Sequence, residues 1–137
     1  VCDGEGVSKL MTVDVSGAED DAAARRIGLA IGNSPLVKTA VAGADANWGR
    51  IVMAVGKSGE SVDRDRLSIE IGGHKVARRG RVVPGYDEAP IARHMQGQRI
   101  HIAVDVGAAD DKAKGRTRIW ASDLTHGYIS INADYRS

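Results

Sequence analysis

A chain of 137 residues is long enough to bury a real core in one compact domain, or in a large piece of one. Nineteen basic residues against eighteen acidic ones leave a net charge of +1, which argues against a nucleic-acid binder and its usual basic excess. A single cysteine, Cys2, excludes an internal disulfide framework and fits a reducing, cytoplasmic setting, and no apolar run approaches the roughly 20 residues that span a bilayer.

With no phenylalanine and few other aromatics, any core must be built from Val, Ile, Leu and Ala. The chain opens at Val1 on a motif-like VCDGEG, with no signal peptide visible, and so reads as a fragment or processed subunit of something longer. Lys9 to Val15 alternates with β-branched residues and predicts a strand. Ser16-Gly17-Ala18-Glu19 fits a capping box, and the acidic run Glu19, Asp20, Asp21 suits the positive end of a helix dipole. Ala23, Ile27, Ala30 and Ile31 then fall on one helical stripe, with Asp21 and Arg25 spaced to pair one turn apart. That helix stops at Gly32-Asn33.

The stretch Asn33 to Ile51 crowds three helix-boundary signals together. Ser34-Pro35 can cap and start a second helix to Ala42, Gly43 offers its stop, and Asp45 or Asn47 can cap a third from about Asn47 to Val55. Lys57 to Asp65 reads as a polar loop. Leu67, Ile69 and Ile71 alternate as a strand, and Gly72-Gly73 turns a hairpin back through His74 to Ala77. A Pro84-Gly85 turn precedes an amphipathic helix from Asp87 to Met95, with Pro90 tolerated in its first turn.

Arg99 to Val106 alternates most cleanly as a strand, and Arg116 to Ala121 is expected as its antiparallel neighbour. The end fits two patterns, since Ile129 and Ile131 alternate while Leu124, Tyr128, Ile131 and Tyr135 repeat at helical spacing. A short helix capped by Asp123 is the expectation. The whole reads as α+β, a layered sheet with helices packed on one side, divided at about residue 58 into a strand-plus-helices part (1–58) and a smaller α+β part (59–137).

For chemistry, Asp3-Gly4-Glu5-Gly6 sets a carboxylate between two glycines, where the backbone can turn sharply and a ligand can come close; a solvated turn fits the same residues. His74, His94, His101 and His126 lack metal-ligand spacing and are expected in structural or surface roles. Arg78, Arg79 and Arg81 read as a solvated basic patch, with no aromatic platform interleaved. The polar tail Ser130 to Ser137 offers the Asn132 amide and the Ser137 hydroxyl, either as a docked segment closing a pocket or as a plain cap. No Ser-His-Asp arrangement, phosphate-cradling loop or activated cysteine emerges.

Four blocks taken in order say more. DGEGVSK (Asp3 to Lys9), SPLVKTAVAGADANWGRI (Ser34 to Ile51), WASDLT (Trp120 to Thr125) and INADYRS (Ile131 to Ser137) together resemble the ornithine acetyltransferase family, also called glutamate N-acetyltransferase. The resemblance covers essentially the whole chain. It implies a precursor that cuts itself before a threonine into α and β chains, the new N-terminal threonine carrying acetyl from N-acetylornithine to glutamate in a ping-pong reaction of arginine biosynthesis. No metal or organic cofactor is implied, and neither nucleic acid nor membrane is an expected partner.

Glu5 matches the family's acidic substrate-binding residue, Asn132 its tail asparagine, and Ser137 the closing hydroxyl residue that is often threonine in relatives. The nucleophilic threonine, its cleavage motif and the oxyanion-hole residues are absent, so no catalytic residue lies in this chain. It is expected to be the C-terminal part of a β chain, inert without the α chain and the rest of β, in a dimer of αβ units. Whether acetyl-CoA also serves as donor stays open. A non-catalytic binding module on the same scaffold is the rival reading.

Overall fold

The computed structural model describes residues 9–85, 88–109 and 114–123, together with the backbone of 128–129. Its elements run β1 (Leu10–Ser16), α1 (Asp21–Gly32), α2 (Pro35–Ala42), α3 (Trp48–Lys57), a 3-10 turn (Arg64–Arg66), β2 (Ser68–Ile71), β3 (His74–Arg78), β4 (Arg81–Val82), α4 (Glu88–Met95), β5 (Arg99–Asp105), β6 (Thr117–Ser122) and β7 (Tyr128–Ile129). The strands form one mixed sheet in the order β4-β3-β2-β5-β1-β6-β7. The expected α+β architecture is therefore what forms.

Period-two alternation decides which side carries the core. Met11, Val13 and Val15 of β1 lie beside Ile100, Ile102 and Val104 of β5, and beside Ala121, Ile119 and Thr117 of β6. Ile69 and Ile71 of β2 continue the same row against Val104 and Ile102. These positions are almost wholly buried, and the helices cover them with Ile27 and Ile31 from α1, Val37 and Val41 from α2, Ile51 and Val55 from α3, and Ile91 and Met95 from α4. Each large aliphatic side chain so buried contributes about 1.5–3 kcal/mol by leaving water. The opposite face carries Thr12, Asp14, Ser16, His101, Arg118 and Trp120, which is why the strands alternate and do not read as solid apolar runs.

The helix boundaries in the Asn33–Ile51 connector fall where the sequence sets them. Ser34 Oγ accepts the Val37 amide at 3.2 Å with Pro35 at the first helical position, and Asn47 Oδ1 accepts the Arg50 amide at 3.3 Å. Gly43 closes α2, while the left-handed residue that reverses the chain is Ala44 at φ 58°. The hairpin turn at Gly72-Gly73 has φ of 61° and 81°, values that glycine adopts without the strain a Cβ would bring.

Three expectations are corrected. Ser16 does not cap α1: it remains in β1, where its carbonyl accepts the Val106 amide, and Asp20 Oδ1 caps the helix through the Ala23 amide at 2.7 Å. Strand β6 is not the neighbour of β5; β1 lies between them, parallel to β5 and antiparallel to β6. Alternation marks a strand but carries no information about its neighbour.

The helix expected from Asp123 is also corrected. Tyr128 and Ile129 form β7 on the edge of β6, opposite Trp120 and Ile119, because an exposed strand edge satisfies their backbone groups better than an isolated helical turn. The Asp123 carboxylate takes the Lys9 amide. The short pair β3–β4 at Arg81–Val82 was not expected from the sequence.

Candidate functional site

Glu5, Asn132 and Ser137 lie outside the described residues, as do Cys2 and His126. The structure does describe Lys9, which ends the block that holds Glu5, and Trp120 to Asp123 of the block that precedes the tail. At the end of the sheet where β1 begins, Lys9 N donates to Asp123 Oδ1 at 3.0 Å and Asp123 N donates back to Lys9 O at 3.1 Å. Lys9 ends the DGEGVSK block and Asp123 sits in WASDLT. The ammonium of Lys9 also donates to the carbonyl of Met95, tying the end of α4 to the same corner.

The third block reaches this corner through Lys38 on α2. Burial pulls the Lys38 amine below its ordinary range, and the charge of Asp123 acts in the opposite sense. Residues from three of the four blocks, about 30 and 85 positions apart in sequence, thus meet electrostatically at one end of the sheet. Lys38 is a cation that senses the Asp123 charge, while the Lys9 ammonium is turned to the Met95 carbonyl.

The connector also shapes space. Ala44, Asp45, Ala46, Asn47 and Trp48 line a cavity of about 420 Å³ whose far wall is Glu88, Ile91 and Ala92 of α4. Trp48 also lines a second cavity of about 420 Å³, with Val52, Leu67, Ala77 and Arg64. The Asn47 amide oxygen is committed to the helix cap, so the polar side-chain groups of the first cavity include the carboxylates of Asp45 and Glu88, the Asn47 amide nitrogen and the Trp48 indole.

The open face of the sheet carries a network that the sequence reading did not single out. Arg118 donates from Nε to Asp14 Oδ1 at 2.6 Å and from Nη2 to Oδ2 at 3.0 Å, while His101 Nε2 lies 2.7 Å from Oδ2. Burial by itself would raise the Asp14 carboxyl, but the hydrogen bonds from His101 and Arg118, with their charges, outweigh it and hold the group below 3.8. The available signal was one acid set between Val13 and Val15 on the face that β1 shares with Thr12 and Ser16, largely buried and so in need of a partner on the neighbouring strands.

His94 and His101 serve structural contacts, in keeping with the expectation for the histidines, and His74 is exposed. Arg78, Arg79 and Arg81 are exposed as expected of a solvated patch. Among the described residues no group of three or more His, Cys, Asp or Glu side chains could hold a metal ion, and no helix is long and apolar enough to cross a membrane.

Against known proteins, the ArgJ family model matches residues 1–137. The chain is 60% identical over 137 residues to the arginine biosynthesis bifunctional protein ArgJ of Zymomonas mobilis, covering 100% of this chain and 32% of that protein. It is 61% identical over its full length to the protein of the same name from Gluconobacter oxydans, covering 31% of that protein. The chain spans about a third of the length of the curated relatives it matches.

Among solved structures, the ArgJ crystal structure from Bacillus halodurans superposes with a TM-score of 0.77 at 32% identity, covering 96% of this chain and 57% of that one. A match along every residue, high identity to named relatives and a shared fold lead to one conclusion: the chain belongs to the ArgJ family.

Proposed function

We propose that this chain is the C-terminal part of the β chain of an acetyltransferase that moves acetyl from N-acetylornithine to glutamate in arginine biosynthesis. The observation that carries the reading is the doubled Lys9–Asp123 hydrogen bond, because it joins the stems of two separate motif blocks at one corner of the fold. Glu5 belongs to the first of these blocks, and the tail with Asn132 and Ser137 follows the other in sequence. A carboxylate at Glu5 suits the ammonium of ornithine, and the Asn132 amide with the Ser137 hydroxyl suits a substrate carboxylate or amide.

The acetyl-carrying threonine belongs to polypeptide outside this chain, so catalysis requires the α chain and the remaining β segment, assembled as a dimer of αβ units in the cytoplasm. In this reading residues 1–58 supply one wall near the reacting groups and residues 59–137 supply the closing tail. The reaction draws on no cofactor. The word "bifunctional" in the relatives' names fits a second donor for glutamate, for which acetyl-CoA is the candidate.

The test uses the full-length protein. Glu5→Gln should raise KM for N-acetylornithine, or lower kcat, by more than about tenfold while the fold persists, as expected for a lost charge-assisted contact. Near-normal kinetics of that variant would reject the role of Glu5. The rival reading, a non-catalytic module, requires that the full-length protein transfer no acetyl group from either donor.

A further inference from the structure

His94 stands where a strand should be. In an antiparallel ladder the β2 chain would both donate to and accept from His101, yet only half of that exchange exists: Gly72 N donates to His101 O at 2.9 Å. The His101 amide turns instead to the side chain of His94, donating to Nε2 at 3.0 Å. The imidazole of the last turn of α4 thus replaces the backbone carbonyl that β2 withdraws as it turns at Gly72-Gly73. The ring is held closely, since a Cβ on Gly72 would lie 2.5 Å from its Cγ and 2.8 Å from its Nδ1.

An imidazole accepts at Nε2 only while that nitrogen keeps its lone pair, so the geometry requires neutral His94 with its proton on Nδ1. Protonation would turn the acceptor into a second donor facing an N–H. The surroundings oppose the charge too: burial disfavours the imidazolium most, followed by His101 on β5 and His74 at the head of β3. Charged groups along the chain at this end of α4 are Arg93 on the helix itself, Arg99 at the start of β5, and Lys9, whose ammonium is bonded to Met95 O. The acid of the region, Asp14, is engaged with His101 and Arg118.

We propose that His94 is a pH-sensitive latch: neutral, it fastens the end of α4 to β5, and on protonation it releases that end of the helix. Because Glu88, Ile91 and Ala92 of the same helix form one wall of the connector cavity, release loosens that cavity as well. The sign follows from the depressed value. The latch is complete above the ordinary histidine value of 6.5, where folded and unfolded chains are both neutral, and is lost as pH falls from there through the lower folded-state value.

The experiment is amide hydrogen exchange at His101 in the full-length protein across about pH 8 to 5, corrected for intrinsic exchange rates and run beside His94→Gln. A glutamine side-chain oxygen can accept the same N–H but does not titrate. The opening constant of the wild type should rise by up to about tenfold per pH unit below the ordinary histidine value, the limit for release coupled to one proton, and the variant should stay flat. A variant that rises as steeply as the wild type overturns the proposal. Ring-nitrogen NMR shifts of wild-type His94 near neutral pH give a readout that needs no variant: an Nδ1–H tautomer supports the latch, and a proton on Nε2 sinks it.

Discussion

Lys9 and Asp123 hold each other twice, amide to carboxylate at 3.0 Å and amide to carbonyl at 3.1 Å. The second bond extends the β1–β6 ladder by one step, and the first adds a side-chain clasp that backbone pairing alone would not supply. Asp123→Ala leaves the Lys9 amide to water or to nothing and should cost about 1–2 kcal/mol, whereas Asp123→Asn keeps an oxygen acceptor and should cost less than half of that. Chemical denaturation of both variants checks the difference. If Lys9 and Asp123 frame the substrate corner, Asp123→Ala also raises the substrate KM.

The Asp14 network predicts an acid limb in the stability curve. Because the folded state holds this carboxyl below 3.8, its contribution is complete above that value and declines as pH falls through it toward the lower folded-state value. Asp14→Asn removes the anion that the two-pronged Arg118 contact requires and should destabilise by about 1.5–3 kcal/mol at neutral pH. Denaturation midpoints measured down to about pH 3 should then fall less steeply for the variant than for the wild type.

Two glycines should respond with opposite sign to the same change. Gly115, where β6 meets the start of α1, has room for no side chain: a Cβ would lie 2.4 Å from Ala18 O and 2.7 Å from Asp20 O, both backbone atoms that cannot rotate away. Gly115→Ala should cost about 1–3 kcal/mol. Gly56, on the exposed side of α3, would place a Cβ with nothing within 4 Å, so Gly56→Ala should stabilise by about 0.4–1 kcal/mol through helix propensity and a less free unfolded chain. Thermal melts of the pair decide both.

The connector depends on its caps. Ser34→Ala and Asn47→Ala each remove the acceptor of one helix-start amide and should each cost about 1 kcal/mol. Their effects should add to less than the sum if the connector is one packed unit, which a double variant measures.

These caps also show what could be read in advance. Where a local residue controls a local bond, as with Ser34, Pro35 and Gly72, the sequence named the element and its boundary; for α3 it offered Asp45 or Asn47, and Asn47 is the cap. The alternation of Arg99 to Asp105 likewise gave strand and buried face together. What escaped was non-local. Ser16 fitted a capping box until its pairing with Asp105 claimed it for β1, and at Tyr128 and Ile129 pairing with the edge of β6 prevailed over helical spacing. The partners of Asp14 lie on two other strands, so its network could not be seen from spacing. Glu5, Asn132 and Ser137 are proposed on the resemblance of the motif blocks alone, because a carboxylate, an amide and a hydroxyl in polar segments carry no chemistry that spacing alone distinguishes from solvation.

The parallel pairing at the middle of the sheet carries one further consequence. Leu10 lies beside Arg99, so β1 gains its β5 partner only after nearly the whole intervening chain has been made. Helices α1 to α3 and the β2–β3 hairpin are local and can form early, but closing so large a loop is slow, and until then Met11, Val13 and Val15 have no lasting cover. A nascent chain halted before β5 should therefore be sticky and protease-sensitive, a natural client for chaperones, and should become compact in a single late step once β5 emerges.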